Sequence, residues 1–483
     1  MSNSHDLPRA LPARMGVDPK AILSLLDTIR KKNIGLHGLV ILRHGHVIAE
    51  GYFEPYRKDY THMLFSLSKS FTSTAVGFAV QEGLLSLKDK VVSFFPDILP
   101  SAPCANMEKM TVRDLLTMSS GHMDEPMPYG FTDDWAKAFL HSYVEVEPGT
   151  HFLYNTLGTY MLSAIITKVT GMPAGEYLRP RLFEPLGIED WWWEACPKGF
   201  HTGGFGLNLR TGDIAKFGQF LLQKGMWDGK QLLNPEWIGE ATSYQVKNFG
   251  EKDWGSGYGY QFWRCSAEGV FRGDGACGQL CIVAPEKDLV IAVTAGLSDM
   301  QEELDAFWDT LLPGVYDAPL AENAEDQQHL EQELSSLQMA PPCGDAYSDT
   351  ACKVSGRVYE LSSNEAGITK ISFTFGNPSS VTLTAGEKSC TLPIGFGKWL
   401  EGKTWVTPED CHSFGGIVFP RTACAGAWNG ESFCWQLVYP TTPFTDDFKV
   451  SFDGNALTLD YFRKIPFAAP AAPLRIIGRQ VDE

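Results

Sequence analysis

Between Phe65 and Gly83 the chain reads F-S-L-S-K-S-F-T-S-T-A-V-G-F-A-V-Q-E-G, an apolar helical pattern with a lysine at its head. Phe71, Ala75, Phe78 and Ala79 fall at helical spacing, and Gly83 is a natural stop. A fold for this chain must therefore bury a helix and decide what to do with Lys69. Ser66 and Lys69, three residues apart, share one helix face. A serine hydroxyl is a weak nucleophile unless a neighbour takes its proton, and a lysine serves only when its ammonium is depressed, as burial would do. With Ser66 in the first turn, backbone N–H groups and the positive end of the helix dipole favour charge developing on its oxygen. The alternative is a serine-rich helix start with a solvated lysine.

The chain has enough material to bury such a helix: 483 residues leave room for two or three domains, and 44% hydrophobic with 12% aromatic residues describe a globular protein. Its formal charge of −18, with no long run of Lys or Arg, disfavours nucleic acid and anionic membranes as partners. The start, Met-Ser-Asn-Ser-His-Asp-Leu-Pro-Arg, lacks a basic-then-apolar signal, and no stretch approaches the ~18 apolar residues of a membrane span. A cytoplasmic location is the expectation, unless a signal was trimmed. Eleven cysteines, among them Cys104, Cys277, Cys411 and Cys434, are an odd number without any C-x-x-C pair. Reduced thiols fit that pattern better than a disulfide framework, and no finger-like spacing suggests zinc.

Asp18-Pro19 caps a helix carrying Ile22, Leu23, Leu25, Leu26 and Ile29, and Gly38 to Glu50 reads as a hairpin turning near Gly45. Helical patterns follow at Val112 to Met118, Thr156 to Thr170 and Leu207 to Lys224. A strand pair, Gln279 to Ala284 and Leu289 to Thr294, precedes a helix from Met300 to Leu312. Strands at both ends of a helical block predict an α+β fold, an α/β sandwich whose sheet joins the two ends of residues 1–315. Residues 316–345 read as a linker, with a solvated connecting helix over Ala321 to Leu337. Residues 346–483 show short β-like runs, such as Lys370 to Phe375, Ser380 to Thr384, Trp435 to Tyr439 and Ala456 to Tyr461, which predict a smaller all-β barrel or sandwich.

Two further clusters lie in the first part. Pro148 to Gly158 is a turn-rich loop entering the helix that ends at Val169-Thr-Gly171, with Tyr154 at the junction. A tyrosine near a lysine cation loses its proton more easily and can act as a base; the alternative is a core tyrosine with one satisfied hydroxyl. Gly273-Asp-Gly-Ala-Cys-Gly-Gln279 runs into the strand that follows. Its glycines let a substrate approach the backbone, and an N–H there can complete an oxyanion hole with that of Ser66. The alternative is an ordinary glycine-rich turn.

S-x-x-K on an early helix, a tyrosine motif before a V-T-G helix and a glycine-rich strand near the domain end together resemble the class C β-lactamase-related serine hydrolases, which include D,D-peptidases and family VIII esterases. Met63 to Ser73, Val112 to Gly121, Leu182 to Ile188, Asp213 to Gln219 and Pro235-Glu-Trp237 also resemble that family, over roughly residues 10 to 315. The resemblance implies a β-lactamase/transpeptidase-like domain in which Ser66 attacks a carbonyl, Lys69 and Tyr154 shuttle the proton, and an acyl-enzyme forms without metal or organic cofactor. By position the second oxyanion N–H belongs to Ala276.

Two departures bear on substrate. The family's tyrosine motif is Y-x-N, yet here Asn155 follows Tyr154 directly and Thr156 takes the later position, so Asn155 is the candidate substrate contact. The third motif, K-T-G or H-x-G, corresponds to Gly273-Asp274-Gly275, candidate substrate-binding residues that lack the cation holding a β-lactam or peptide carboxylate. Asp274 either reads a cationic ligand or holds the turn by an Asx-type bond, the turn being the favoured reading. His201-Thr-Gly203 mimics the motif at the wrong place in the chain and reads as a rim loop. Trp191-Trp-Trp193 reads as core closure, and His122 and His151 as polar loop residues. The expectation is a serine hydrolase acting on a small ester, amide or peptide-like substrate, with carboxylesterase-like activity first. A β-lactamase or D-amino-acid peptidase, and a penicillin-binding sensor that acylates without turnover, are the alternatives. Oligomeric state stays open.

Overall fold

The computed structural model describes residues 6–128, 131–404, 421–464, 466 and 472–481. Asp18 accepts a hydrogen bond from the Lys20 N–H and Pro19 takes the first helical position, so helix α1, Pro19–Lys31, starts where its cap dictates and buries Ala21, Ile22, Leu25, Leu26 and Ile29. Strands β1, Leu36–Arg43, and β2, His46–Tyr52, follow as a hairpin. His44 and Gly45 both have positive φ, 51° and 71°, the conformation a tight two-residue turn requires.

The same sheet takes up the late strands β3, Trp263–Arg264, β4, Phe271–Gly275, β5, Gln279–Ala284, and β6, Leu289–Ala295, in the order β2-β1-β6-β5-β4-β3. Antiparallel pairing of β1 with β6, Leu39 opposite Val293 and Ile41 opposite Ile291, ties the start of the chain to residue 295, as the α+β reading predicted. Helices α2, Ser68–Gln81, α3, Thr156–Thr170, and α4, Thr211–Leu222, share a core with the sheet. Phe71 of α2 stacks on Phe217 of α4 with centroids 3.9 Å apart, and α4 packs so closely on the sheet that a Cβ on Gly218 would come within 2.4 Å of Val290. The helix expected from Leu207 begins only at Thr211, because Leu207–Leu209 forms a strand against His62–Met63 and Trp192–Trp193.

The chain divides into two compact units: residues 1–51, 61–295 and 299–335 form the first, and residues 52–60, 296–298 and 336–483 the second. Residues 316–335 of the expected linker fall in the first unit and residues 336–345 in the second. Helix α5, Ala324–Ser335, packs on α1 through buried Leu330 and the ion pairs Lys20–Asp326 and Arg30–Glu333, at 3.3 and 2.6 Å.

Among the described residues, the second unit is built on ten antiparallel strands, β7 Val358–Leu361, β8 Lys370–Thr374, β9 Ser379–Ala385, β10 Lys388–Ile394, β11 Leu400–Lys403, β12 Arg421–Asn429, β13 Ser432–Val438, β14 Thr445–Asp453, β15 Ala456–Lys464 and β16 Leu474–Val481. They run in the order β10-β9-β8-β7-β16-β15-β14-β13-β12-β11 and curl into a barrel-like sheet, a bridge between Gly395 and Ala425 joining the β10 end to β12. Its interior is an aromatic stack in which Trp435, Phe448 and Tyr461 lie nearly parallel, 4.6 and 4.7 Å apart. The cysteines among the described residues are free thiols; Cys411 lies outside them. Among the described residues no helix is long and apolar enough to cross a membrane.

Candidate active site

Phe65 adopts a left-handed φ of 46°, uncommon for a bulky side chain, and the chain turns through a 3-10 segment, Phe65–Leu67, before α2 begins. This leaves Ser66 half-buried at the head of the helix. The serines and threonines that follow are anchors. Ser68 Oγ accepts from the Leu207 N–H at 3.0 Å, Ser70 Oγ donates to the Gln261 carbonyl at 2.9 Å, and Thr72 Oγ1 donates to the Gly203 carbonyl at 2.8 Å.

Lys69 is 1% exposed. Its Nζ lies 2.9 Å from Ser66 Oγ, 2.8 Å from the Gly204 carbonyl and 3.3 Å from Thr156 Oγ1. Burial drives its pKa down to about 7 against the opposing pull of Glu125 and Asp274. A neutral amine has two hydrogens and one lone pair. Donating to Gly204 and Thr156 leaves the lone pair for the Ser66 hydroxyl proton.

Tyr154 lies close enough to Ser66 for the serine side chain to lower its pKa, its ring centre lies 4.7 Å from Lys69 Nζ, and it stacks on Trp263 at 5.4 Å. Its pKa corrects the expectation of an easily ionised phenol. Burial pushes it well above the ordinary value, and the charges of Asp274 and Glu125 push it further. The Arg272 guanidinium pulls the other way but does not offset burial, so Tyr154 stays a phenol.

Asn155 is turned away from the expected role. Its Oδ1 accepts from the Gly158 N–H at 2.8 Å as the cap of α3, its Nδ2 reaches Ser120 at 3.4 Å, and it is 1% exposed. Thr156, two positions after Tyr154, meets Lys69 instead. Glu125, which the sequence did not single out, accepts from the Thr156 and Leu157 N–H groups at 2.6 and 3.3 Å, placing a carboxylate at the N-terminus of α3. Only the fold brings residue 125 to this helix.

Gly273 and Gly275 have a purpose other than admitting substrate. A Cβ on Gly273 would sit 2.5 Å from Leu67 and 2.8 Å from Ser70, and one on Gly275 2.1 Å from the Leu64 carbonyl. Their bareness lets β4 lie directly against the Ser66 turn. Ala276 follows in the turn, its carbonyl held by Gln279 Nε2 at 3.1 Å; the same fully buried amide bonds the Ala295 carbonyl at 2.7 Å and accepts from the Ala295 N–H at 3.2 Å. Among the described residues Asp274 makes no Asx-type turn bond. Its Oδ2 accepts from Arg272 Nε at 2.7 Å on the same strand face, and burial raises its pKa against the pull of that guanidinium.

The His201 loop lies deeper than a rim. Its next residues supply the Gly203 and Gly204 carbonyls to Thr72 and Lys69, while His201 accepts from the Gly175 N–H at 3.0 Å and stacks near Trp193. Burial lowers the His201 pKa to about 4. His122 is likewise buried, held by Ser120 and Ser142 at 2.9 and 2.7 Å. His151 stands beside exposed Phe249.

A family model described as Beta-lactamase matches residues 28–312. The 6-aminohexanoate-dimer hydrolase of Paenarthrobacter ureafaciens is 24% identical over 332 residues, which cover 63% of this chain and 84% of that protein. Among solved structures, the octameric penicillin-binding protein homologue from Pyrococcus abyssi superposes with a TM-score of 0.51 at 19% identity, over 95% of this chain and 99% of its own. EstCE1, described as a hydrolase with promiscuous acyltransferase activity, reaches 0.51 at 16% identity over 60% of this chain and 98% of its own. The chain spans about half the length of several further curated relatives.

Proposed function

The chain belongs to the β-lactamase family of serine hydrolases, and from that premise we propose that it cleaves an ester or amide through an acyl-enzyme on Ser66, with carboxylesterase-like activity leading. The observation that carries the reading is the buried Lys69 amine 2.9 Å from Ser66 Oγ, with its pKa brought to about 7. In this mechanism Ser66 Oγ attacks the carbonyl carbon as its proton passes to Lys69. The backbone N–H groups of Ser66 and Ala276 hold the oxyanion. Collapse breaks the bond to the leaving alkoxide or amine, which takes a proton from the Tyr154 hydroxyl as Lys69 reprotonates that phenol. Water then enters, gives its proton through the same pair, and releases the acid and Ser66. Domain roles follow: the first unit carries the chemistry, and the second adds a barrel whose contribution to substrate choice is open to truncation and exchange experiments.

An amide substrate is the second reading, favoured by the dimer hydrolase relative, whose name describes cleavage of a 6-aminohexanoate dimer. A β-lactamase or carboxypeptidase reading needs a cation to hold the substrate carboxylate. The cation beside the glycine strand, Arg272, is fully buried and paired with Asp274, so that reading gains no support from it. The test compares turnover of p-nitrophenyl acetate with adduct formation by a fluorescent penicillin, followed by intact mass in wild type and Ser66→Ala. Ester turnover that needs Ser66, without a lasting penicillin adduct, is the expected result. A lasting adduct on Ser66 moves the protein to the penicillin-recognising sensor, and activity unchanged in Ser66→Ala overturns the mechanism.

A further inference from the structure

We propose that Asp274 makes this site select substrates carrying a primary ammonium group close to the scissile carbonyl, an inference that rests on the Ser66 acyl-enzyme reading. Side chains alternate along a strand, and Gly273 and Gly275 face Leu67, Ser70 and Leu64 of the Ser66 segment. Asp274 and Arg272 therefore point to the other face of β4. There Arg272 pairs across the ladder with Trp263, and Trp263 stacks on Tyr154 at 5.4 Å, so the ion pair and the catalytic phenol share one wall.

Within that pair the two charges are not equally accessible. The Arg272 side chain is 0% exposed and Asp274 7%. The guanidinium is directed inward: Nη1 reaches the Asp253 and Arg264 carbonyls at 3.3 and 3.2 Å and Cys265 Sγ at 3.5 Å, and its Cζ lies 4.8 and 5.6 Å from the ring centres of Trp254 and Trp263. What the pair offers a ligand is the edge of the carboxylate. Arg272 fixes that edge in place and spends one oxygen, Oδ2, leaving the other as an acceptor. Glu125 adds a second carboxylate beside Lys69, with only Oε1 engaged by the α3 backbone. Lys69, largely uncharged above neutral pH, does not cancel them. Asp274 and Glu125 against one sequestered arginine leave the site attractive to a cation and repellent to a carboxylate.

The test uses two nearly isosteric esters, the p-nitrophenyl esters of β-alanine and of butyrate, which differ in an ammonium for a methyl at the acyl end. Rates are divided by those of spontaneous hydrolysis. Wild type is expected to favour the β-alanine ester by about tenfold in kcat/KM, the size of one partly desolvated charge contact. In Asp274→Asn, which keeps the shape and an acceptor for Arg272, that ratio falls toward one. A wild-type ratio of one or less overturns the proposal, and so does a ratio that Asp274→Asn leaves unchanged. Should Asp274→Asn fail to fold, wild type still decides: n-butylammonium is expected to inhibit butyrate-ester turnover where butyrate ion does not, and the reverse order overturns the proposal. Butyrate-ester turnover that is absent, or that survives in Ser66→Ala, is instead the failure of the acyl-enzyme reading.

Discussion

If Lys69 is the base, the rate of acylation must follow its neutral fraction. With a pKa of about 7, kcat/KM for an activated ester is flat above pH 8 and falls about tenfold per unit below pH 6, as the amine protonates. Glu125 supplies a second handle. Its negative charge favours the ammonium form, so Glu125→Gln should move the limb down by roughly half a unit to one unit and make the variant faster than wild type at pH 6. Glutamine keeps an oxygen for the Thr156 and Leu157 N–H groups, so the head of α3 stays capped. The assay is the pH profile of initial p-nitrophenyl acetate hydrolysis in both proteins. A limb centred near pH 10, or one that Glu125→Gln shifts upward, refutes the reasoning. Stability carries the matching sign. The folded pKa of Lys69 lies below the unfolded value of 10.5, so between about pH 7 and 10.5 the unfolded state binds the extra proton and stability rises with pH. Below pH 7 both states are protonated and the burial cost is felt in full.

Tyr154→Phe removes the phenol next to Ser66 and should lower kcat by about 10²-fold or more with little change in Tm, read by steady-state kinetics and thermal unfolding. Thr156→Val removes a hydroxyl 3.3 Å from Lys69 Nζ and should lower kcat/KM, whereas Asn155→Ala should chiefly cost about 1 kcal/mol of stability through the lost helix cap, read by urea unfolding. Gly275→Ala drives a methyl into the Leu64 carbonyl and should destabilise the fold by about 1–3 kcal/mol while displacing the turn that carries Ala276.

The parts of this site that a sequence exposes are those whose chemistry is written in residue type. A serine and a lysine one helical turn apart are such a case, and so is the α3 pattern, which runs from Thr156 to Thr170 as read. What escaped is what tertiary packing supplies. Glu125 and Gly204 reach the site through loops, and nothing local marks them. Gln279 looks like a strand's first residue until its amide is seen holding both Ala276 and Ala295. Asn155 was misassigned because a helix cap and a substrate-binding amide draw on the same side chain. The glycines of β4 misled in a different way, since the close approach they permit is that of the protein's own helix. Leu207–Leu209 carried an apolar run compatible with helix or strand, and its ladder partners at residues 62–63 and 192–193 decided the matter.

The central claim is that Ser66, activated by Lys69, is the nucleophile. The most direct measurement is labelling with an alkyl fluorophosphonate at pH 8, followed by peptide mapping of wild type, Ser66→Ala and Lys69→Ala. The account predicts one label on the peptide containing Ser66, none in Ser66→Ala, and labelling slowed by about 10²-fold or more in Lys69→Ala. A label on another residue, or labelling of Lys69→Ala at the wild-type rate, would contradict it.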